Sequence, residues 1–317
     1  LHRNNRSQTF AEVIATDFKF YLFQHFAVFG IFFQCTCQST TETGYVSLNK
    51  QGETLCGDRV EIAGGGENDV TMVLVDGLGS GVKASILATL TSKIVCTMVG
   101  GGMPIEECVS TIANTLPVCS VRQVAYSTFT IVRITQNRMA QIIQFGNPAT
   151  SVLRDGEVYP YPTVTRVISG KTIWESSFPV ACGDVFICLS DGAEFAGVGK
   201  AFNFGWTRDA IAQFASANFL PQNAAKTTAG LIADECNRLY AGQPGDDATV
   251  AVLRVRRRHP VNLVVGPPAD KSQDMKMMNL FFAKEGARIV CGGTTSRLAT
   301  DYLSKPLLPS LNYPDPD

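Results

Sequence analysis

The sequence predicts a layered α+β fold, and three observations carry that expectation. Short apolar strands come in adjacent runs, helical patterns come in pairs between those runs, and two of the apolar strands stop abruptly at Asp-Gly. A regular βαβ protein would instead separate each strand from the next by a single helix.

Taken in order from Tyr45, DVTMVLVD (69–76) reads as a buried strand. The stretch from Lys83 to Val99 follows, with Leu87, Leu90, Ile94 and Met98 at helical intervals, which predicts an amphipathic or wholly buried helix. GGGMP breaks it, and Pro104 suits the first turn of a second helix whose Ile105, Cys108, Val109, Ile112 and Leu116 share a face. AYSTFTIVRIT, RMAQIIQFGN and TSVLRDGEVY are short strands divided by turn residues, and they predict an antiparallel meander in which Asp155-Gly156 is a turn. GDVFICLSDG is a second apolar strand ending in Asp-Gly, helical patterns follow near 206–217 and 222–240, and GDDATVAVLRV returns as a strand. After VRRRHP (255–260) the character changes to strand, helix over 271–285, strand, and a helix from Ser296. The organisation expected is an N-terminal extension (1–44), a main domain (45–256) and a small α/β appendage (257–317).

Composition narrows the function classes. With 45% hydrophobic and 17% charged residues, the 317-residue chain suits a soluble globular protein with a sizeable core. Its formal net charge of -1 argues against a nucleic-acid partner. The 10 cysteines form no CxxC pair, which predicts reduced thiols in a cytoplasmic protein, and Cys96 and Cys188 sit in apolar runs as core residues. The 3 histidines lie away from the acidic and glycine-rich clusters, which argues against a histidine-based hydrolase or zinc site. Residues 18–37 are rich in Phe, but Gln24 and His25 interrupt them, so they predict a docking helix or hairpin and no stable membrane insertion.

Four acidic sites share a setting. Asp76 and Asp191 end apolar strands, while Asp58 and Asp246, the latter followed by Asp247, come just after glycines. Singly, each is explained by a turn. Together, carboxylates drawn from distant parts of a chain to one edge repel unless cations lie between them. An all-oxygen donor set selects Mg²⁺ or Mn²⁺, and a pair of such ions about 3.5–4 Å apart supports hydrolysis of a phosphate ester.

CGDRVEI, VLVDGLGSGVKA, CLSDGAEF and GDDATVAVLRV, in this order, resemble the metal-dependent serine/threonine protein phosphatase superfamily, in its branch typified by the stage II sporulation E phosphatase. YVSLNKQGE and YSTFTIVRI fit a subgroup of that branch, and the likeness covers roughly 45–256. It implies a four-layer α-β-β-α sandwich with two antiparallel sheets and a site for two Mn²⁺ or Mg²⁺ ions. Asp76 would bridge the ions, the Gly77 carbonyl would ligate one, and Asp58, Asp191 and Asp246 would complete the set, with Asp58 and Asp76 acting through the water the ions activate. Asp247 would support the ligands from behind, and Arg59 and Lys83 are candidate phosphate-binding cations on charge alone. Many relatives carry a histidine after the Asp-Gly pair, where Leu78 stands here. The resemblance also implies a phosphorylated regulatory protein as substrate, such as an anti-sigma-factor antagonist, and a switch formed by residues 83–116; a dimer is a candidate assembly, with the oligomeric state left open by the sequence.

Two rival readings stand beside this one. GSGVKA (79–84) satisfies the G-x-G-x-x-A pattern of a dinucleotide-binding turn, although no second strand with an acidic end follows at the required distance. The other is a catalytically inactive regulator with the phosphatase fold, against which the complete aspartate set argues. In the appendage, the Gly-Gly-Thr-Thr stretch reads first as a helix cap and second as an anion site.

Overall fold

The computed structural model describes residues 39–64, 69–115 and 127–306, so the Phe-rich segment lies outside the described residues. One antiparallel sheet has the order β1 (Ser39–Leu48), β11 (Ala248–Arg257), β10 (Val185–Leu189), β6 (Ser151–Arg154) and β7 (Glu157–Val158). The other has the order β2 (Arg59–Gly64), β3 (Val70–Gly77), β4 (Ser127–Thr135), β5 (Met139–Phe145), β9 (Lys171–Pro179) and β8 (Val164–Ile168). Helices α1 (Gly81–Gly100) and α2 (Ile105–Thr115) lie on the second sheet; after the single turn α3 (Asp191–Glu194), α4 (Arg208–Ala217) and α5 (Ala225–Leu239) lie on the first.

Three apolar layers result, and strand alternation builds them. In β3, Met72 and Leu74 face the other sheet, where they join Phe186, Ala251 and Leu253, while Val73 and Val75 face Val95, Cys108 and Ile112 of the helices. In β11 and β10, Val250, Val252 and Ile187 face Ile211, Ile232 and Cys236. A central strand buried on both faces has no polar side to alternate with, which is why these segments read as unbroken apolar runs. The architecture is the expected four-layer α-β-β-α sandwich.

Four local expectations need correction. The first is the meander: β4 and β5 pair, but β6 and β7 belong to the other sheet, so the chain crosses between sheets at residues 146–150. Strand β5 pairs instead with β9, from a hairpin that shows little apolar alternation in sequence. The Asp155-Gly156 turn itself stands as expected, with φ of +53° and +85° joining β6 to β7. The second concerns the start of the sandwich: β1 begins at Ser39, and its first residues already pair with Arg257 and Arg256 of β11, upstream of the expected boundary at Tyr45.

The third concerns α1. Its length and composition would let it cross a membrane, yet it lies along β2 and β3. The face it buries is made of Ala84, Ala88, Thr91, Ser92, Val95, Cys96 and Val99, while Leu90 is exposed and Leu87, Ile94 and Met98 are only partly covered. Small residues let the helix approach the sheet closely, and that requirement outweighs the apolar stripe. Ala88→Leu is therefore expected to cost about 1–3 kcal/mol through overpacking, whereas Ile86→Lys on the outer face should stay within about 0.5 kcal/mol. Urea denaturation of the two variants measures both.

The C-terminal region is the expected strand-helix-strand-helix unit: β12 (Val261–Val265), a 3₁₀ turn (Lys271–Gln273), α6 (Asp274–Phe282), β13 (Ala287–Cys291) and α7 (Gly293–Leu303). Its two strands pair in parallel. The fourth correction falls here. Helix α7 starts at Gly293 rather than Ser296, so Thr294 and Thr295 lie inside its first turn, and the cap position is Gly292, which makes no side-chain cap.

Candidate metal centre at the sheet edge

The two sheets deliver their aspartates to one edge, and register explains how. Arg59 pairs with Val75, so Asp58 and Asp76 are the next residues on neighbouring strands β2 and β3. In the other sheet Leu189 pairs with Val250 and the Ser190 N–H donates to the Thr249 carbonyl at 3.0 Å, which brings Asp191 alongside the start of β11 and hence near Asp246 and Asp247.

Ser190 fastens the sheets together at this point. Its hydroxyl donates to Asp58 Oδ2 at 2.7 Å and accepts from the Thr249 N–H at 2.8 Å, and all of these groups are buried. The Asp76 and Asp191 carboxyls, one from each sheet, lie near enough to shift one another's proton affinity. Asp247 serves a different purpose: its two carboxylate oxygens accept from the backbone N–H groups of Lys50 (2.9 Å) and Gly57 (2.8 Å), pinning the β1–β2 loop beneath the edge. Asp246 is half-exposed and lies 3.7 Å from the Lys50 ammonium.

The electrostatics of the edge are strained. Burial raises the Asp76 carboxyl to about 9, and the neighbouring Asp58 and Asp191 charges add to the shift. Burial likewise raises Asp58 to about 7, against the opposing hydroxyl hydrogen bonds of Ser190 and Thr249. Asp191 is raised too, by burial and then by Asp246. Such a set is uncomfortable without positive charge in its midst. Among the described residues no three acidic, His or Cys side chains are already drawn into a closed ligand cluster; the carboxyls are neighbours that act on one another through their charges. Their all-oxygen chemistry and shared orientation fit a hard divalent cation.

Three glycines here serve close packing. A Cβ on Gly77 would come within 2.7 Å of both the Ala84 and Gly57 carbonyl oxygens, one on Gly57 within 2.9 Å of Asp247 Oδ2, and one on Gly192 within 2.0 Å of the Asp247 carbonyl oxygen. The two cationic candidates are both exposed. Arg59 is exposed, with alternation directing it away from the inter-sheet side that Val60 occupies, and Lys83 is exposed on α1. The dinucleotide reading is overturned: β3 is antiparallel to both neighbours, and the Glu53 carboxylate sits against Gly81 and accepts from the Ser80 hydroxyl at 3.3 Å, where a pyrophosphate would have to lie.

Sequence reasoning missed Ser190, Thr249 and Lys50. Only position could have pointed to Ser190, which stands between a buried strand and a candidate ligand. Ser190→Ala is expected to cost about 1–3 kcal/mol and to weaken divalent-cation binding about tenfold by releasing Asp58. Chemical denaturation and Mn²⁺ titration followed by calorimetry check the two effects.

A two-sheet sandwich flanked by helix pairs, with acidic residues from both sheets at one edge, is a PP2C-like fold. The model of the Stage II sporulation protein E (SpoIIE) family matches residues 66–256, and the chain belongs to that family. It is 24% identical over 242 residues to Stage II sporulation protein E of Bacillus subtilis (strain 168), a match covering 75% of this chain and 28% of that protein. The chain therefore spans under a third of its curated relative's length. Among solved structures it is similar to the SpoIIE phosphatase domain from Bacillus subtilis (TM-score 0.54, 21% identity, 73% of this chain and 99% of that one). A SpoIIE fragment with the PP2C phosphatase domain and part of the regulatory domain gives TM-score 0.58 at 22% identity, covering 70% of this chain and 65% of that one. The RsbU and RsbW domains of Rv1364c from Mycobacterium tuberculosis give 0.55 at 16% identity, covering 77% and 68% respectively.

Proposed function

We propose that this chain is a cytoplasmic, Mn²⁺- or Mg²⁺-dependent protein phosphatase domain that hydrolyses phosphoserine or phosphothreonine on a regulatory protein. The observation that carries the reading is the convergence of Asp58 and Asp76 from one sheet with Asp191 and Asp246 from the other at a single edge. In this reading those carboxylates and the Gly77 carbonyl hold two ions. The ions supply Lewis acidity toward a phosphoryl oxygen and toward the attacking water.

The chain's own residues have distinct tasks. Asp76 feels the charges of both Asp58 and Asp191, and it is the residue that would be shared by the two ions. The Ser190 hydroxyl, itself held by the Thr249 N–H, fixes one oxygen of the Asp58 carboxylate. Asp247 keeps the loop ahead of Asp58 from drifting, through its bonds to Lys50 and Gly57, and so works as a positioning residue. The bare backbone at Gly77 leaves its surroundings free of a Cβ.

Membership of the SpoIIE family, whose Bacillus subtilis member is described as a cell fate determinant, supports the proposed substrate class, a phosphorylated regulatory protein such as an anti-sigma-factor antagonist. The free cysteines among the described residues support a reducing compartment. The test is hydrolysis of p-nitrophenyl phosphate and of a phosphoserine peptide with Mn²⁺, with Mg²⁺ and with chelator. Metal-dependent release of phosphate is expected. No turnover in excess of either metal would favour the inactive-regulator reading.

A further inference from the structure

The geometry points to a second ligand site, remote in sequence from the aspartates: an oxyanion-binding cradle at the start of α7 that takes the phosphoryl group of a small molecule. It lies at the carboxyl edge of the parallel pair β12 and β13, where parallel strands followed by helices open a crevice.

Register sets the floor of this cradle. Val265 pairs with Cys291, so the next residues, Gly266 and Gly292, stand side by side, with φ of +78° and +95°. Side chains are disfavoured at such φ. A Cβ built on Gly266 or Gly293 meets nothing within 4 Å, and one built on Gly292 meets only Thr295 Oγ1, at 3.7 Å. Among the described residues, no side chain fills the space in front of the helix.

The helix end supplies the donors. The first intrahelical bond runs from the Ser296 N–H to the Gly292 carbonyl at 2.9 Å, which leaves the N–H groups of Gly293, Thr294 and Thr295 without a helical partner. Gly292 provides no side-chain cap, and no acidic residue occupies the first turn. Helix α6, which starts at the same edge of the small sheet, carries its own Asp274 there.

Thr295 is the independent observation. It is 1% exposed, yet among the described residues its Oγ1 has no hydrogen-bond partner, and that oxygen is the atom nearest the space over Gly292. A buried hydroxyl normally finds a partner, and this one is directed at the uncapped helix end instead of at a neighbouring carbonyl. Three N–H groups and one O–H, with the helix dipole behind them, form a donor set for an acceptor-rich anion. A tetrahedral phosphoryl group can accept from several of them at once. It could belong to free phosphate or to a phosphate ester such as a nucleotide.

The test uses the full chain, ¹⁵N-labelled and stripped of metal with chelator so that phosphate is not retained at the aspartate edge. Inorganic phosphate and adenosine monophosphate are titrated separately while the Gly293 and Thr295 amide resonances are followed. Saturable shifts of both amides are expected. A response to phosphate assigns the free anion, and one confined to adenosine monophosphate assigns an ester. Thr295→Val should weaken the response about fivefold, the factor one hydrogen bond is worth, and Thr295→Ser should restore it. Gly293→Asp places a carboxylate in open space where the helix tolerates it, and should abolish the response while the chain stays folded. Amides unmoved by either probe, or a Thr295→Val protein that titrates like the parent, would overturn the assignment. The readout does not depend on catalysis, so it stands or falls apart from the phosphatase reading.

Discussion

Asp76→Asn is expected to lower Mn²⁺-dependent phosphoserine hydrolysis by at least about a thousandfold, equivalent to roughly 4 kcal/mol of transition-state stabilisation, while leaving the metal-free protein at least as stable as the parent, and more stable near neutral pH. The two halves of this expectation share one cause. In the metal-free chain, burial and the Asp58 and Asp191 charges raise the Asp76 carboxyl to about 9, so near neutral pH it is held protonated, and a neutral amide replaces it at little cost. Once cations are to be held, the same position must supply a full negative charge that an amide lacks.

The sign of the pH dependence follows from the same shifts. Between about 4, where an aspartate ionises in the unfolded chain, and the raised values of about 7 for Asp58 and about 9 for Asp76, the folded state holds more protons than the unfolded one. The metal-free protein should therefore lose stability steadily as pH rises through that window. Saturating Mn²⁺ should remove most of the loss, and Asp76→Asn should flatten the upper part of the curve. Thermal melts at several pH values, with chelator and with Mn²⁺, measure this. A metal-free parent that gains stability from pH 5 to 8 would contradict the crowding of carboxyls at the edge.

Much of this arrangement was legible before any coordinates, because the residues that form the edge carry a loud local signal. An apolar run buried on both faces and cut off by Asp-Gly, as at Asp76 and Asp191, says where a strand ends and which side chain sits at its tip. What holds those tips together was silent. Ser190 joins the sheets by accepting from Thr249 and donating to Asp58, partners far apart in sequence, and a serine carries no mark of such a role. The crossing of the chain between sheets at residues 146–150 was hidden for a related reason: turn residues announce a change of direction without naming the sheet it leads to. The buried face of α1 was misread because the stripe of Leu87, Leu90, Ile94 and Met98 outweighs Ala84, Ala88, Thr91 and Ser92 on any hydrophobicity reading, although only the small residues permit the observed approach to β3. In the appendage, Thr294 and Thr295 read as caps since caps are what threonines near helix starts usually are, and one turn of extra helix changes their role.

Gly192→Ala is expected to destabilise the fold by about 3 kcal/mol or more and to abolish activity, whereas Gly79→Ala should cost only about 1 kcal/mol. Both glycines belong to the loops that carry the aspartates, yet they are required for different reasons. Gly79 has φ of +93° and open space where a Cβ would stand, so its substitution strains only the backbone. Gly192 needs no left-handed φ; its Cβ would lie 2.0 Å from the Asp247 carbonyl oxygen and 2.8 Å from the carbonyl carbon. Neither atom belongs to a side chain that can swing away. Relief requires the end of β10 to part from the start of β11, and that is the contact that keeps Asp191 beside Asp246. The Tyr240 hydroxyl, which donates to the Gly192 carbonyl at 2.6 Å, would be displaced by the same movement. Activity should therefore be lost even under conditions where the variant is fully folded, and calorimetric Mn²⁺ titration should show at least one ion bound more weakly. A Gly192→Ala protein with parental stability and parental Mn²⁺ affinity would mean that these two strand ends do not meet as tightly as described, and that the aspartates they carry are free to separate.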